Sequence, residues 1–462
     1  MGSADRGAAA VTTTSSVVDY ELVRSLRERV ADRMTRTKQG REQRGEPELP
    51  AADEQQLAVS LITEEVQRHL AELLATGREV PPDPGYDLRL IMAVDAAMYR
   101  AGELQDLLDD PDVENIDING SDEVFITYAD RGKVRGASIA GSDDELIAIT
   151  QNLASYAGLN ARPFTRANPE LDLRLPDGSR LSAVMAASER PIVSIRRNRY
   201  PQMFLATLVG LGTVDDQLAC FLHAAVRSRM NIVVAGATDA GKTTLLRALI
   251  NCIPPDERLI TVERALELGL RRHPELHADV VELEEVLPDA DGQGGLSIRD
   301  LVRRTRRHNP SRVIVGEVLG PEVVEMLSAM SQGNNGSMST LHARSGADVF
   351  AKLGQYAGQY EQVAFDVAQG LIAGAVDFVV FVAKNRLANG RRCVTQVLEV
   401  AGAPDGRVAS STIFARSPGD GRAVRVDEVP ISRDRLEELA DAGYDDSAAG
   451  YRYSPAAGPA PR

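Results

Sequence analysis

The chain has 462 residues, 43% of them hydrophobic, which is enough for about three domains with sizeable cores. Its formal net charge of −15 argues against a dedicated nucleic-acid binder, whose footprint would be a basic surface. Cys220, Cys252 and Cys393 are odd in number and widely spaced, so they predict neither a disulfide framework nor a zinc site and suit a reducing cytoplasm.

No basic–apolar–small signal pattern occurs at the N-terminus. The longest apolar run, residues 371–383, contains Asp377 and is too short to span a bilayer. We therefore expect a cytoplasmic protein, which would meet the cytoplasmic face of a membrane only through a partner.

Residues 1–50 are predicted to be a disordered and then helical extension. Val23, Leu26, Val30 and Met34 recur at helical spacing and predict an amphipathic helix to about Thr37. Residues 51–110 form a predicted helical segment, with helices over residues 57–74 and 88–108. We expect these helices to pack on the domain that follows.

Residues 111–200 have the short alternating runs of an α+β domain, with hairpins that turn at Gly120 and Gly132. A capping box from Ser142 to Glu145 opens a helix that stops at Gly158. Two strands surround a Pro-Asp-Gly turn at residues 176–178, and another strand covers residues 192–197. Residues 201–216 are predicted to be a linker.

A phosphate-binding loop follows the buried run 232–235 and precedes an apolar helix beginning near Leu245. Its glycines let backbone N–H groups surround an anion, and the helix N-terminus adds positive charge. Lys242 can reach the β- and γ-phosphates and the Thr243 hydroxyl can ligate Mg²⁺. The predicted nucleotide-binding residues here are Gly236, Ala237, Thr238, Asp239, Ala240, Gly241, Lys242, Thr243 and Thr244.

Strands and helices alternate through the predicted domain 217–401, which favours a mainly parallel sheet with crossover helices. The predicted strands are residues 232–235, 259–263, 312–317, 336–342 and 378–383. Glu263, Glu317 and His342 end three of them, and should lie beside the phosphate loop because ligand sites occur at the carboxyl ends of parallel strands. Residues 402–450 are predicted to be a small C-terminal region and residues 451–462 a disordered tail.

Four further phrases carry a family resemblance: an acidic box at 260–268, an arginine segment running into a Walker B strand at 300–317, a histidine box at 333–344, and Leu-Pro-Asp-Gly-Ser-Arg at 175–180. Together with the phosphate loop, and in this order, they resemble the secretion ATPase superfamily of type II and type IV secretion and pilus assembly. The chain looks most like the CpaF-like ATPases of Tad (tight adherence) pili. The resemblance covers about residues 113–400.

This resemblance implies an α/β fold, with a RecA-like P-loop ATPase core preceded by a PAS-like α+β domain and N-terminal helices. It implies ATP and Mg²⁺ as cofactors, a homo-oligomeric ring, taken to be a hexamer, and an inner-membrane platform protein as partner. Glu317 would polarise the attacking water, Glu263 would act on that water or the Mg²⁺ shell, and His342 would sense the γ-phosphate. Thr243, Glu263 and Glu317 would make up the metal site.

Five arginines also receive roles from the resemblance. Arg303 and Arg307, read as one helical turn apart, would contact phosphate or a neighbouring subunit. Arg174, Arg180 and Arg196 would come from the N-terminal domain, which in this family closes over the nucleotide.

Four departures from the family pattern suggest slow hydrolysis. Asp239 stands inside the phosphate loop, where its carboxylate should repel a triphosphate unless it is paired or turned outward, so Asp239→Asn is expected to tighten ATP binding. Arg264 replaces an Asp of the acidic box, Leu319 replaces an Arg two residues after Glu317, and Asn309 replaces another common Arg.

Two other classes of protein stay open. A RecA-like nucleic-acid motor would have a basic, aromatic-studded channel, whereas only 4% of this chain is aromatic. A nucleotide-gated structural subunit would bind ATP and turn it over weakly.

Overall fold

The computed structural model describes residues 19–44, 51–78, 85–99, 104–129, 131–156, 164–175, 177–198, 202–286, 288, 293–385, 390–448 and 450–454. The chain divides into two units, Met1–Arg199 and Tyr200–Arg462. The expected disorder at residues 1–16 and 455–462 lies outside the described residues. Among the described helices, none is both long enough and apolar enough to cross a bilayer.

The first unit begins with helices α1 (Tyr20–Gln43), α2 (Ala51–Ala75) and α3 (Tyr86–Tyr99). They bury their apolar faces against one another in a cluster that includes Val23, Leu26, Ile62 and Leu90. Helix α1 runs past the predicted end at Thr37, and α2 contains the predicted helix 57–74. The predicted helix 88–108 corresponds to α3 and to a second helix that begins at Leu104, and residues 100–103 of that prediction lie outside the described residues. The helices share a core of their own, and Arg24 of α1 also pairs with Glu145 of the following domain at 3.1 Å, which agrees with the expectation that they pack on that domain.

A six-stranded antiparallel sheet follows, in the order β3-β2-β1-β6-β5-β4. Its strands are β1 (Val113–Asn119), β2 (Val124–Tyr128), β3 (Gly132–Arg135), β4 (Glu170–Arg174), β5 (Arg180–Val184) and β6 (Ile192–Arg196). Helices α4 (Leu104–Asp109) and α5 (Asp143–Tyr156) supply Leu108, Leu146 and Leu153 to its core. The Ser142 hydroxyl accepts a hydrogen bond from the Glu145 N–H, so the predicted cap begins α5. The α+β prediction is confirmed.

The second unit is built on a nine-stranded sheet in the order β15-β14-β13-β12-β7-β11-β10-β8-β9. Its strands are β7 (Ile232–Gly236), β8 (Leu259–Glu263), β9 (Val280–Glu284), β10 (Arg312–Val318), β11 (Met338–His342), β12 (Phe378–Asn385), β13 (Arg391–Gly402), β14 (Ala409–Arg416) and β15 (Ala423–Arg425). Neighbouring strands pair in parallel along β12-β7-β11-β10-β8-β9 and antiparallel along β12-β13-β14-β15. The mainly parallel α/β core is confirmed.

Helices cover both faces of this sheet. They are α6 (Leu205–Gly210), α7 (Asp216–Arg227), α8 (Lys242–Ile250), α9 (Ile298–Thr305), α10 (Val323–Ser331), α11 (Asp348–Glu361), α12 (Phe365–Ala375) and α13 (Arg433–Asp441). Strand β7 is buried on both sides: Ile232 and Val234 enter one core cluster, and Val233 and Ala235 the other. A strand covered on both faces is typical of parallel sheets and leaves the strand ends as the accessible edge.

Three expectations need correction. Met203, Leu205, Leu208 and Val214 enter the core of the second unit, so the predicted linker is a packed segment. Residues 402–450 are not a separate region, because β14 and β15 extend the nine-stranded sheet. Tyr451 stacks on Tyr444 and the Tyr453 hydroxyl lies 3.0 Å from His223 Nδ1, so order continues past residue 451.

Candidate functional site: a phosphate loop at the sheet edge

The phosphate loop connects β7 to α8. Gly236 ends the strand so close to its neighbour β12 that an added Cβ would lie 2.3 Å from the Val382 carbonyl oxygen. Gly241 has φ +97° and caps the N-terminus of α8, a backbone conformation that favours glycine. Within the loop Ala240 and Lys242 are buried, Ala237 and Thr238 are exposed, and Asp239, Thr243 and Thr244 are half-buried.

Lys242 is only 7% exposed and lies next to two acceptors. Its Nζ donates to the Ala237 carbonyl at 3.2 Å and lies 3.0 Å from His342 Nδ1. The other imidazole nitrogen, Nε2, lies 2.8 Å from Glu317 Oε1. The predicted strand-end residues His342 and Glu317 are therefore joined to the phosphate-loop lysine in one chain of contacts.

This chain of contacts assigns the His342 tautomer. The Lys242 ammonium can only donate, so Nδ1 accepts and Nε2–H donates to the Glu317 carboxylate. Burial lowers the pKa of His342, and the nearby Lys242 and Lys352 act in the same direction, while Glu317 opposes them. A neutral imidazole is consistent with these contacts.

Glu263 ends β8 and is buried, with 4% of its surface exposed. Its Oε2 accepts hydrogen bonds from the N–H groups of Glu267 and Leu268 at 2.9 and 3.0 Å. Its Oε1 is buried and has no hydrogen-bond partner among the described residues. Burial outweighs the two backbone N–H groups and raises the pKa of Glu263 to about 7.

Replacing Glu263 with glutamine is expected to stabilise the nucleotide-free protein at neutral pH. The folded-state pKa is raised from 4.5 to about 7, so ionisation costs folding free energy as pH rises through that window. Glutamine imitates the protonated acid. Its advantage in the free energy of unfolding should grow from near zero at pH 4.5 to about 3 kcal/mol above pH 7.

Urea denaturation at several pH values, in EDTA, measures this difference. Glu285→Gln is the control, since Glu285 is a nearby carboxylate for which Arg264 is a partner at 3.2 Å. A Glu263→Gln advantage that does not change with pH contradicts the prediction.

Glu267 lies in the acidic box, and the sequence analysis predicted no role for it. Its Oε2 lies 3.4 Å from Thr243 Oγ1, the hydroxyl predicted to ligate Mg²⁺. Its position four residues after Glu263, in the same box, was the available signal. Contacts thus run from Glu263 through Glu267 to the start of α8.

The residues present fit a Mg²⁺ ion. No group of three or more His, Cys, Asp or Glu side chains within the described ranges could hold a metal by itself. Mg²⁺ typically uses one or two carboxylates together with substrate phosphates and water. The Thr243 hydroxyl, the Glu267 carboxylate and the orphaned Glu263 Oε1 are hard oxygen atoms of the kind that such a site uses. The metal roles of Thr243, Glu263 and Glu317 stay predictions.

The Asp239 carboxylate is paired, and a paired carboxylate is not expected to repel a triphosphate. The carboxylate of Asp239 accepts hydrogen bonds from Lys384 Nζ and, at 2.9 Å, from Arg392 Nη2. The expected repulsion of a triphosphate by Asp239 is therefore offset by two cations from the neighbouring strands. Sequence reasoning did not single out either Lys384 or Arg392.

Arg303 and Arg307 are both exposed. Helix α9 ends at Thr305, and Arg307 lies in the following turn, where its N–H donates to the Arg304 carbonyl. The two arginines are therefore not on one helical face as predicted. Neither has an ion-pair partner among the described residues, and their roles stay predictions.

Arg174, Arg180 and Arg196 lie side by side in the antiparallel sheet of the first unit. The register places Arg174 opposite Arg180 and Arg180 opposite Arg196. They lie on the face opposite Leu181 and Ile195, which are in the core. Three adjacent guanidinium groups on one face can attract an anion, and their predicted role toward the nucleotide stays a prediction.

Arg264 and Leu319, two other departures from the family pattern, each have identifiable local contacts. The Arg264 side chain is largely exposed to solvent and pairs with Glu285 at 3.2 Å. It therefore adds no carboxylate to the acidic box. At the position of Leu319, the backbone N–H donates to Glu322 Oε1, a carboxylate that is 2% exposed and also accepts from the Gly320 N–H. Glu322 thus shapes the turn after the Walker B strand.

Comparisons with known proteins show the family of this chain. Residues 100–412 match the family model described as "Type II/IV secretion system protein". A putative conjugal transfer protein of Mycobacterium tuberculosis H37Rv, Rv3659c, is 32% identical over 328 residues, covering 69% of this chain and 89% of the relative. VirB11 of Agrobacterium fabrum is 30% identical over 278 residues, covering 53% and 76%.

Among solved structures, the VirB11 ATPase of Brucella suis in complex with sulphate is 26% identical with a TM-score of 0.34, covering 64% of this chain and 95% of that one. The matched residues are more than half of the chain, and the phosphate loop, the acidic box, Glu317 and His342 lie within the matched range. The chain therefore belongs to the type II/IV secretion system protein family.

Proposed function

We propose that this chain, an ATPase of the type II/IV secretion family, is the hexameric motor of a Tad-like pilus or secretion system. It binds MgATP at the phosphate loop and uses hydrolysis to drive an inner-membrane platform protein from the cytoplasmic face. The CpaF-like assignment is supported by the five motifs of the sequence and their order. The broader assignment to secretion is supported by the family.

The observation that carries the proposal is the continuous contact from Lys242 through His342 to Glu317. Lys242 is positioned to hold the β- and γ-phosphates. The His342 ring lies between Lys242 and the Glu317 carboxylate and contacts both. A γ-phosphate at Lys242 competes with His342 for the same ammonium group. Triphosphate binding therefore changes the contacts of His342, and through it those of Glu317.

The chain's own residues supply positioning and charge for phosphoryl transfer. Backbone N–H groups of the loop and the Lys242 ammonium stabilise charge on the phosphates, while Glu317 orients or polarises the attacking water. Thr243, Glu267 and Glu263 would hold Mg²⁺. The ion, when bound, neutralises charge on the β- and γ-phosphate oxygens.

Arginines would complete the site in the assembled ring. Arg303 and Arg307 are exposed cations without ion-pair partners among the described residues, which suits contact with a phosphate or with a neighbouring copy of the chain. Arg174, Arg180 and Arg196 form an adjacent row in the first unit, which suits closure over an anionic ligand.

ATP turnover and oligomer mass, measured together on the full-length chain, test the proposal. We expect Mg²⁺-dependent phosphate release, loss of that activity in Lys242→Ala, and a hexamer mass by light scattering. Lys133→Ala is the control lysine, because Lys133 lies on β3 of the first unit and pairs with Asp117 at 3.0 Å. No ATP hydrolysis at any protein concentration, with or without lipid vesicles, would contradict the motor.

The two other candidates give different results in the same assay. A nucleotide-gated subunit with weak turnover would oligomerise with ATP and release no phosphate; the pairing of Asp239 removes one of the reasons for that alternative. A nucleic-acid motor would be stimulated by DNA. The net charge of −15 argues against DNA stimulation.

A further inference from the structure

We propose that Lys384 and Arg392 are nucleotide-affinity determinants of this chain, because they hold the Asp239 carboxylate away from the anion site of the phosphate loop. We call the three side chains the Asp239 clamp. This inference rests on nucleotide binding at the loop and adds two residues, from β12 and β13, to the machinery of that site.

The clamp is built by strand register. Val382 of β12 pairs with Gly236 at the end of β7, so Lys384 emerges two residues later beside the loop. Lys384 is directly opposite Arg392 in the antiparallel β12–β13 pair. The two cations therefore approach the loop together, from adjacent strands of the same sheet.

Arg392 contacts the loop at three places. Its Nη2 donates to Asp239 Oδ1 at 2.9 Å, and its Nε donates to the Asp239 carbonyl at 3.1 Å. Its Cδ lies 3.3 Å from the place where a Cβ on Gly241 would be. Lys384 Nζ binds the other carboxylate oxygen, Oδ2. Both carboxylate oxygens and the backbone of residue 239 are thus held.

Asp239 itself has the left-handed backbone that this position of the loop requires, with φ +58°. Aspartate tolerates that conformation better than most residues, but its side chain adds an anion within a loop made to bind one. A released carboxylate could accept from the inward-facing N–H groups and so compete with phosphate. The two cations prevent this by binding both oxygen atoms of the carboxylate.

The clamp also predicts that the charge of Asp239 matters little while both cations are present. Asp239→Asn or Asp239→Gly alone should change the dissociation constant less than threefold, in contrast to the tightening that simple repulsion predicts. Replacing both cations, in Lys384→Met/Arg392→Met, should weaken binding about tenfold. Adding Asp239→Gly to that double variant should restore most of the lost affinity, because the competing carboxylate is gone.

Isothermal titration of the full-length chain with ADP, and with a non-hydrolysable ATP analogue, measures these constants. Arg391→Met is the matched control, since Arg391 is the exposed neighbour of Arg392 on β13 and lies near Gly212. Thermal unfolding of each variant confirms that the fold is retained; for any variant that unfolds, the charge-conserving pair Lys384→Arg/Arg392→Lys is used and should bind nearly as the parent does.

The outcomes separate the alternatives. Direct phosphate contact by Lys384 and Arg392 predicts that Asp239→Gly improves affinity by the same factor with and without the cations, which would overturn the clamp. A double variant that binds within twofold of the parent would overturn it as well. If the parent chain binds no nucleotide, the proposed function fails, and not the clamp alone.

Discussion

Glu317→Gln is expected to lower ATP turnover by about 100-fold or more while nucleotide affinity changes little. Glu317 lies at the carboxyl end of β10, 2.8 Å from His342, and is half-exposed, so a water molecule can reach it. A positioned carboxylate that acts on the attacking water contributes about 10²–10⁴-fold. Glutamine keeps the shape and loses the charge. Steady-state phosphate release and nucleotide titration measure the two effects separately.

Glu325→Gln is the matched control, because Glu325 pairs with Arg306 on the surface of the same domain and should leave turnover unchanged. A His342→Asn variant distinguishes water activation from positioning. If Glu317 only holds the imidazole, the two single variants lose equal activity and the double variant loses no more. Turnover of Glu317→Gln within threefold of the parent would remove Glu317 from the mechanism.

Glu257→Ala is expected to destabilise the second unit by about 3–5 kcal/mol. Glu257 binds Arg312, whose side chain is 0% exposed, through Nε at 2.8 Å and Nη2 at 2.6 Å. The third nitrogen of Arg312, Nη1, donates to the Val226 carbonyl at 2.7 Å. Removing the carboxylate leaves a buried guanidinium without its counter-charge. The unfolding midpoint should fall by about 6–20 °C in scanning calorimetry.

The control is Glu437→Ala, the same substitution in an exposed pair with Arg433 on α13. That pair should contribute about 0.3–0.5 kcal/mol. A Glu257→Ala loss no greater than that of Glu437→Ala would mean that water enters and solvates Arg312. Arg312 is the first residue of β10, the strand that also contains Glu317. The same result would therefore imply that water reaches the beginning of this strand.

The regular parts of the fold could be predicted from the sequence. Strand β8 has the predicted bounds, Leu259–Glu263, because a short apolar run with clear end signals marks it in the sequence. Strand β9 was missed, since its Val-Val-Glu-Leu-Glu sequence alternates with acidic residues and lies at the sheet edge. Strand β13 was missed because its pairing is set by β12, a distant contact that local pattern does not contain.

The site divides in the same way. Residues within a motif, such as Lys242 and His342, could be placed because the phosphate loop and strand ends determine where they emerge. Glu267, Lys384 and Arg392 depend on how separate segments meet, so no local period marks them. The pairing of Asp239 is the clearest case: the residue was recognised from the sequence, and its partners, about 150 positions later, were not.

The arginine row of the first unit limits how this chain can vary in evolution. Arg174 and Arg180 face each other only because the turn between β4 and β5 has its present length. Inserting or deleting a single residue there would shift β4 by one position and turn its guanidinium group toward the apolar side occupied by Leu181. We therefore expect the residue count of this turn to stay constant among homologues.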